Sequence, residues 1–291
     1  ALVGGGEMED IVITNTAGES IYLGRQGPFF LEKIEGVSEV AVCIESQKAP
    51  YQDGATYIDN TLAPRALNLE GLIITKGDDQ ALVAARRRMQ RVLNPKGGAI
   101  IISYRQRDQA KEIKGIAETT PVFPSGPGNR GPYYQRFLLQ LVCHQPFWMD
   151  SLAEEREIVT WIGGLIFPWT LPTRFALKGR PVINIVNKGD VKTPVQIEFR
   201  GPATNPKIIN QTRDEYLQVR QELAHGDVLV IKTDFGGKQV EINGINAFHW
   251  IDPDSSFWQL QPGDNIVEYT SDEPTEPAAV VISYRNRYVG V

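Results

Sequence analysis

Phe137-Leu138-Leu139-Gln140-Leu141-Val142-Cys143-His144 is an extended segment with two largely apolar faces. Side chains alternate along a strand, so Phe137, Leu139, Leu141 and Cys143 share one face, and Leu138, Gln140, Val142 and His144 share the other. Such a strand is predicted to lie in the middle of a sheet. Later in the chain Val195, Ile197 and Phe199 alternate with Gln196, Glu198 and Arg200, which predicts a sheet with one wet face. Val228-Leu229-Val230-Ile231 and Val240-Glu241-Ile242 read as two strands joined through Asp234-Phe235-Gly236-Gly237-Lys238, where glycine supplies the positive φ of a hairpin turn. Short alternations of this kind recur between Gly, Pro, Asn and Asp, and the fold class is mainly β.

One segment has a different period. From Asp78 to Leu93, Leu82, Ala85, Met89, Val92 and Leu93 fall on one stripe at helical spacing. Asp78 and Asp79 suit the positive end of the helix dipole, and Asn94-Pro95 followed by Gly97-Gly98 stops it. Arg87, Arg88 and Arg91 lie on the opposite face, a solvated face or a subunit contact. RNA binding there would need a basic or aromatic context that the sequence lacks.

Pro121-Val-Phe-Pro-Ser-Gly-Pro-Gly-Asn-Arg-Gly-Pro132 lies between two strands and predicts a long exposed loop, with Asn129 and Arg130 near its tip. After residue 148 the chain turns acidic and polar, Asp150-Ser-Leu-Ala-Glu-Glu-Arg-Glu157, and a domain boundary is placed there, giving domains 1–149 and 150–291. Gly163-Gly164-Leu-Ile-Phe-Pro-Trp169 with Leu171-Pro172 then leads into the second. Ile101-Ile-Ser-Tyr-Arg-Gln-Arg107 is echoed by Val281-Ile-Ser-Tyr-Arg-Asn-Arg287, which implies two strands in similar environments and no repeat array.

The 291 residues are 42% apolar and 22% charged, ordinary for globular chains and enough for two cored domains. A net charge of −5 argues against a phosphate backbone as the main partner. No apolar run approaches membrane-spanning length, and Ala-Leu-Val-Gly-Gly-Gly-Glu does not resemble a secretory signal. Cys43 and Cys143 form no disulfide framework and read as small core residues of a chain made in a cytoplasm.

Chemistry is hard to find. No serine sits in a Gly-x-Ser-x-Gly elbow, and Cys143-His144 are neighbours on a strand, whose side chains point to opposite faces. There is no Cys-x-x-Cys, no His-Glu-x-x-His and no Asp-x-Asp-x-Asp-Gly loop, so no metal or cofactor is expected. His249, in Ala247-Phe248-His249-Trp250, is expected in a partly buried aromatic cluster. Gly4-Gly5-Gly6 lacks a following Lys-Ser/Thr, and Gly126 to Gly131 has proline where a phosphate cradle needs a donor. Paired carboxylates of a glycosidase leave no sequence motif. Of the five tryptophans, Trp148, Trp161, Trp169, Trp250 and Trp258, core or interface roles are expected ahead of sugar platforms.

These residues resemble the distal tail proteins (Dit) of long-tailed, siphovirus-type bacteriophages. The resemblance runs over about residues 45–291, through Pro50-Tyr-Gln-Asp-Gly54, Leu62-Ala-Pro-Arg-Ala-Leu67, Leu69-Glu-Gly71 and Cys143-His-Gln-Pro-Phe-Trp148. It continues with Gly163-Gly-Leu-Ile-Phe-Pro168, Asn187-Lys-Gly-Asp190, Gly201 with Asn205-Pro206, Gly226-Asp227 and Ser256-Phe-Trp-Gln-Leu-Gln-Pro-Gly-Asp-Asn265. It implies an N-terminal ring-forming domain, a split β-barrel-like sheet with one α-helix, and a C-terminal β-sandwich of galectin or carbohydrate-binding-module type. It implies no enzyme and no cofactor. The implied assembly is a hexameric ring at the distal end of the virion tail. Its partners would be the tail tube protein and the tail-tip protein, with tape measure and receptor-binding proteins as further contacts. Arg87, Arg88, Arg91, Asn129 and Arg130 are the candidate interface residues. A carbohydrate-binding host-recognition module is the alternative, and a hydrolase the third.

Overall fold

The structure, a computed structural model, describes residues 9–76, 79–107, 109–159, 161–162, 177–178, 181–272 and 279–291. The chain divides into two compact units, Ala1–Ser151 with Tyr288–Val291, and Leu152–Arg287. The sequence carries no sign that the last four residues join the first unit.

The first unit contains β1 (Glu9–Thr14), β2 (Ser20–Leu23), β3 (Phe29–Glu35), β4 (Val42–Gln47), β5 (Thr56–Leu62), β6 (Arg65–Ile74), α1 (Asp79–Val92), β7 (Ile100–Gln106), β8 (Gln109–Ala117), β9 (Tyr134–Cys143) and β10 (Trp148–Asp150). Its main sheet runs β2-β1-β7-β8-β9-β6-β3. The two ends of this order meet at a Gly24–Phe30 bridge, where Leu31 N–H donates to the Gly24 carbonyl at 3.1 Å, so the sheet curls back on itself. Closure of this kind removes free edges. β9 lies between β8 and β6, as its sequence predicts. Its inward face, Gln135, Phe137, Leu139, Leu141 and Cys143, is fully buried, whereas Leu138 and Val142 opposite are only half-buried and Gln140 is exposed.

The helix stripe is as predicted. Leu82, Ala85, Met89 and Val92 are buried in the same core as the strand side chains Ile11, Ile13, Leu67, Leu69, Ile102 and Phe137. After Val92, Asn94 accepts from the Lys96 N–H at 3.0 Å and caps the short turn Pro95–Gly97 that follows. Asp78 lies outside the described residues.

Gly71 shows why the segment around it tolerates little change. A Cβ at Gly71 would stand 2.1 Å from the Phe30 carbonyl oxygen and 2.6 Å from the Phe137 ring. Gly71→Ala is therefore expected to cost about 1–3 kcal/mol, the usual penalty of overpacking a filled core. Amide exchange across β3, β6 and β9 should accelerate, and unchanged protection would refute the close approach as a constraint.

The core of the second unit lies between its two larger sheets. One sheet is ordered Glu154–Val159, Ala279–Tyr284, Val195–Arg200, Val228–Lys232, Gln239–Ile242, Ile245–Asn246. The other is ordered Val182–Asn187, Gly263–Thr270, Lys207–Asn210, Glu215–Gln218. Both send alternate residues into one core, where Phe199 of the first meets Tyr269 of the second at 5.8 Å. Gln196 and Glu198 are half-buried and Arg200 exposed, the wet face predicted, and the Val228–Lys232 and Gln239–Ile242 hairpin forms with Gly236 at φ +78°. The echoed strands do share an environment: Ile102 and Tyr104, and Ile282 and Tyr284, are buried at matching positions.

Several motif residues hold turns. Asn265 is buried, donates to the Gln261 carbonyl at 2.8 Å and that of Gly263 at 2.9 Å, and accepts from the Gln261 N–H at 2.9 Å. Asn187 donates to the Leu260 carbonyl at 3.1 Å and accepts from the Gly189 N–H at 2.9 Å. These side chains supply hydrogen bonds that the backbone gives up where strands reverse. Gly163 to Pro172 lie outside the described residues.

Candidate functional site

The predicted interface residues divide into two groups. Arg87, Arg88 and Arg91 are exposed on α1, as the helical period requires. Two are anchored within the unit: Arg88 donates to the Ser20 carbonyl at 2.9 Å, and Arg91 pairs with Glu19 at 2.9 Å. Arg87 makes no hydrogen bond or ion pair to any described residue. Exposed pairs such as Arg91–Glu19 contribute little stability, so their main effect is to fix the helix face beside the start of β2.

The 121–132 loop is less free than its composition predicts. Val122 and Leu138 exchange two backbone hydrogen bonds of 3.0 Å, and Phe123 packs against the core with Arg86 4.7 Å above its ring. The Gln135 side chain, buried beneath the loop, donates to the Pro124 carbonyl at 2.8 Å. Asn129 closes the tip on itself, donating to the Ser125 carbonyl at 3.2 Å, while the Arg130 side chain is exposed. Arg130, Tyr133 and Asp79 line one open depression, so loop tip and helix start are neighbours.

Two features the sequence analysis missed dominate the first unit. Arg65 is 1% exposed and lies in a cage of main-chain carbonyls. Its Nε donates to Pro146 at 2.8 Å, its Nη1 to Gly36, Val37 and Glu39 at 2.6, 2.9 and 2.9 Å, and its Nη2 to Val289. The Trp148 indole donates to the same Val37 carbonyl at 2.9 Å. One guanidinium thus ties the turn after β3, the exit from β9 and the returning C-terminal residues. Pro64-Arg65 is the only sequence sign of it.

The second is the hairpin β4–β5, a separate two-stranded sheet. Every residue of β4 and nearly every residue of β5 is exposed. Register places Val42 opposite Leu62 and Ile44 opposite Asn60 on one face, with Cys43, Thr61, Glu45 and Asp59 on the other. Ile44 is 68% exposed, and Ile58, in a bulge, 57%. The alternation Val42-Cys43-Ile44-Glu45 was the available signal.

Cys43 therefore lies on this surface and not in a core, a correction to the sequence expectation. Cys143 is buried, and burial pushes its thiol up to about 11, against a smaller lowering by the Arg65 guanidinium. At pH 8 the native protein is expected to expose one rapidly alkylated thiol, Cys43, with Cys143 reacting only after unfolding. Mass spectrometry after iodoacetamide treatment checks this, and fast labelling of Cys143 would contradict it. His144 is exposed beside Cys143, and no group of three or more metal-ligating side chains exists among the described residues. Trp148 and Trp258 are core residues, whereas Trp250 is exposed, and His249, expected to be partly buried, is exposed as well.

Comparison with known families places both units. Residues 17–143 match the phage tail protein RIFT-related domain, and residues 188–288 match the siphovirus-type tail component, C-terminal domain. The chain belongs to the siphovirus distal tail protein family. The distal tail fold agrees with the crystal structure of SPP1 Dit (gp 19.1), described as a paradigm of hub adsorption apparatus in phages infecting Gram-positive hosts. That match has a TM-score of 0.67 at 15% identity and covers 95% of this chain and 98% of that one. Chains of the phage p2 baseplate in its activated conformation with Ca match at a TM-score of 0.52 and 9% identity, covering 98% of this chain and 99% of that one. The Sr form matches at 0.52 and 9%, covering 97% and 99%. No curated protein sequence matches. A distal tail protein is a structural component of the virion tail, and of its motif residues Asn187 and Asn265 hold turns while Cys143 and Trp148 are core.

Proposed function

We propose that this protein is the hub at the distal end of the tail, a hexameric ring that joins the tail tube to the tail-tip protein around a channel for DNA. The first unit forms the ring, and the second, of galectin or carbohydrate-binding-module type, faces outward. The role is structural and not enzymatic. The observation that carries the reading is the β4–β5 hairpin. An isolated two-stranded hairpin is marginal in water, and this one presents Val42, Ile44 and Ile58 to solvent within its own unit. Such a surface is stable in a finished assembly when another subunit covers it. A closed ring needs one patch meeting a different patch on the next subunit. The hairpin supplies the first. The second includes α1 and the 121–132 loop, with Arg87, the unanchored cation of its face, and Arg130 at the loop tip.

Electron microscopy and native mass spectrometry of the protein, alone and mixed with its tail-tube and tail-tip neighbours, test this. A six-fold ring is the expected result; a monomer in every mixture would overturn it. Arg87→Glu is expected to weaken the ring while leaving the unfolding transition unchanged, because Arg87 makes no hydrogen bond or ion pair to any described residue.

A further inference from the structure

The free edge of strand Glu215–Gln218 is covered by the segment running from Trp250 to Ser256. Arg220 N–H donates to the Trp250 carbonyl at 2.7 Å, Asp252 N–H to that of Gln218 at 2.9 Å, and Ser256 N–H to that of Tyr216 at 2.8 Å. Around the Val219–Ile251 bridge, alternation sends buried Val219 and half-buried Ile251 inward and places Arg220 and Trp250 opposite each other on the outward face, with Gln218 and Asp252. The Asp252 side chain is 4% exposed. It accepts from Asp254 N–H at 2.9 Å, from the Tyr216 hydroxyl at 3.4 Å and from Arg220 Nε at 2.7 Å, and Arg220 Nη2 also contacts it. The guanidinium is thus anchored along one edge, while 61% of the Arg220 side chain stays open to solvent. Trp250 is 42% exposed, with the His249 ring 4.9 Å away.

We propose that Trp250, Arg220 and Asp252 form a binding site for a neutral hexopyranose unit of a glycan. A lone exposed aromatic needs no explanation. Here the indole stands beside a planar donor fork whose orientation is set, before any ligand arrives, by a buried carboxylate with two other ties, to the Asp254 N–H and the Tyr216 hydroxyl. A pyranose offers an apolar C–H face for the indole and a rim of hydroxyls for the guanidinium edge, which is a small aromatic platform with few fixed polar groups. A peptide segment would need a groove or a longer open strand edge, and Asp252 and Ser256 already occupy this one. The inference stands apart from the ring reading, since it concerns only the second unit.

The test uses the full chain labelled with 15N at tryptophan, titrated with the methyl glycosides of glucose, galactose, mannose, N-acetylglucosamine and N-acetylgalactosamine, alongside a printed glycan array. A saturable shift of the Trp250 indole resonance with at least one sugar is expected. Trp250→Ala should weaken binding by about tenfold or more, and Arg220→Met should do so independently, with circular dichroism and ring images unchanged. Array binding that survives both substitutions, or no response to any glycan, would overturn the site. Burial of Trp250 by a tail protein in the assembled tail tip would also overturn it, assigning the patch to a protein contact.

Discussion

Arg65→Met is expected to destabilise the first unit by about 3–5 kcal/mol, the scale of several main-chain acceptors losing their donor at once. The argument rests on what would be left behind. Five carbonyls, those of Gly36, Val37, Glu39, Pro146 and Val289, accept from this one guanidinium, and Val37 keeps the Trp148 indole as a second donor. A thioether fills much of the same volume but donates nothing, and each buried acceptor left unpaired costs about 1–3 kcal/mol before relaxation. Domains are stable by about 5–15 kcal/mol in total, so the loss is a large share. The Glu39 carboxyl is held below the usual carboxylate range, first by the Gly36 N–H and its own N–H and further by the Arg65 charge, and among the described residues no carboxylate forms an ion pair with the guanidinium. Arg65→Lys should recover only part, because an ammonium cannot span acceptors on three separate segments. With two units a single unfolding curve is ambiguous, so hydrogen exchange by mass spectrometry is the measurement. Peptides from β3, β6, β9 and the last four residues should lose protection, while those within 182–272 should not. Equal loss in both units, or none in either, would refute the cage as the fastener of the first unit.

What the sequence made legible and what it hid follow one physical rule. Hydrophobic period reports that a face is covered, without saying by what. Where the cover is the chain's own core, the reading was sound: the inward face of β9, the Leu82–Val92 stripe of α1 and the Val195-Ile197-Phe199 face all fell where the pattern put them. Val42-Cys43-Ile44 has the same alternation, yet nothing in the described chain covers it, and the assumption of an internal core placed Cys43 wrongly. Arg65 escaped because a lone arginine carries no period, and its acceptors are main-chain atoms on segments far apart in sequence. The closure at Gly24 and the return of Tyr288–Val291 are likewise long-range pairings with no local turn signature. Trp250 is one of five candidate tryptophans, and its exposure opposite Arg220, set by a long-range pairing, distinguishes it from Trp148 and Trp258, which are core.

Ile44→Asp combined with Ile58→Asp should separate folding from assembly. Within one subunit both side chains face solvent, so the substitution removes no internal contact and stability should stay within about 0.5 kcal/mol. In the ring each isoleucine is expected to bury its surface against a neighbour, which is worth about 1.5–3 kcal/mol apiece. Each aspartate would in addition have to leave water without a partner. The two together correspond to an association weaker by at least about a hundredfold, and a closed ring repeats the penalty at every interface. Sedimentation velocity should show monomers at concentrations where the parent chain forms rings. Hydrogen exchange at the amides of β4 and β5, whose outer edges are unpaired within the unit, should slow on ring formation in the parent and stay fast in the variant. Rings of normal stability built from the variant would remove the hairpin from the interface. Loss of protection in the barrel strands would instead make it part of the unit's own fold. Arg65→Met acts in the opposite sense: it loosens the unit from within while leaving the hairpin surface intact. A ring lost in both variants, with the barrel intact only in the isoleucine variant, is the pattern expected if one segment of the first unit serves folding and another serves assembly.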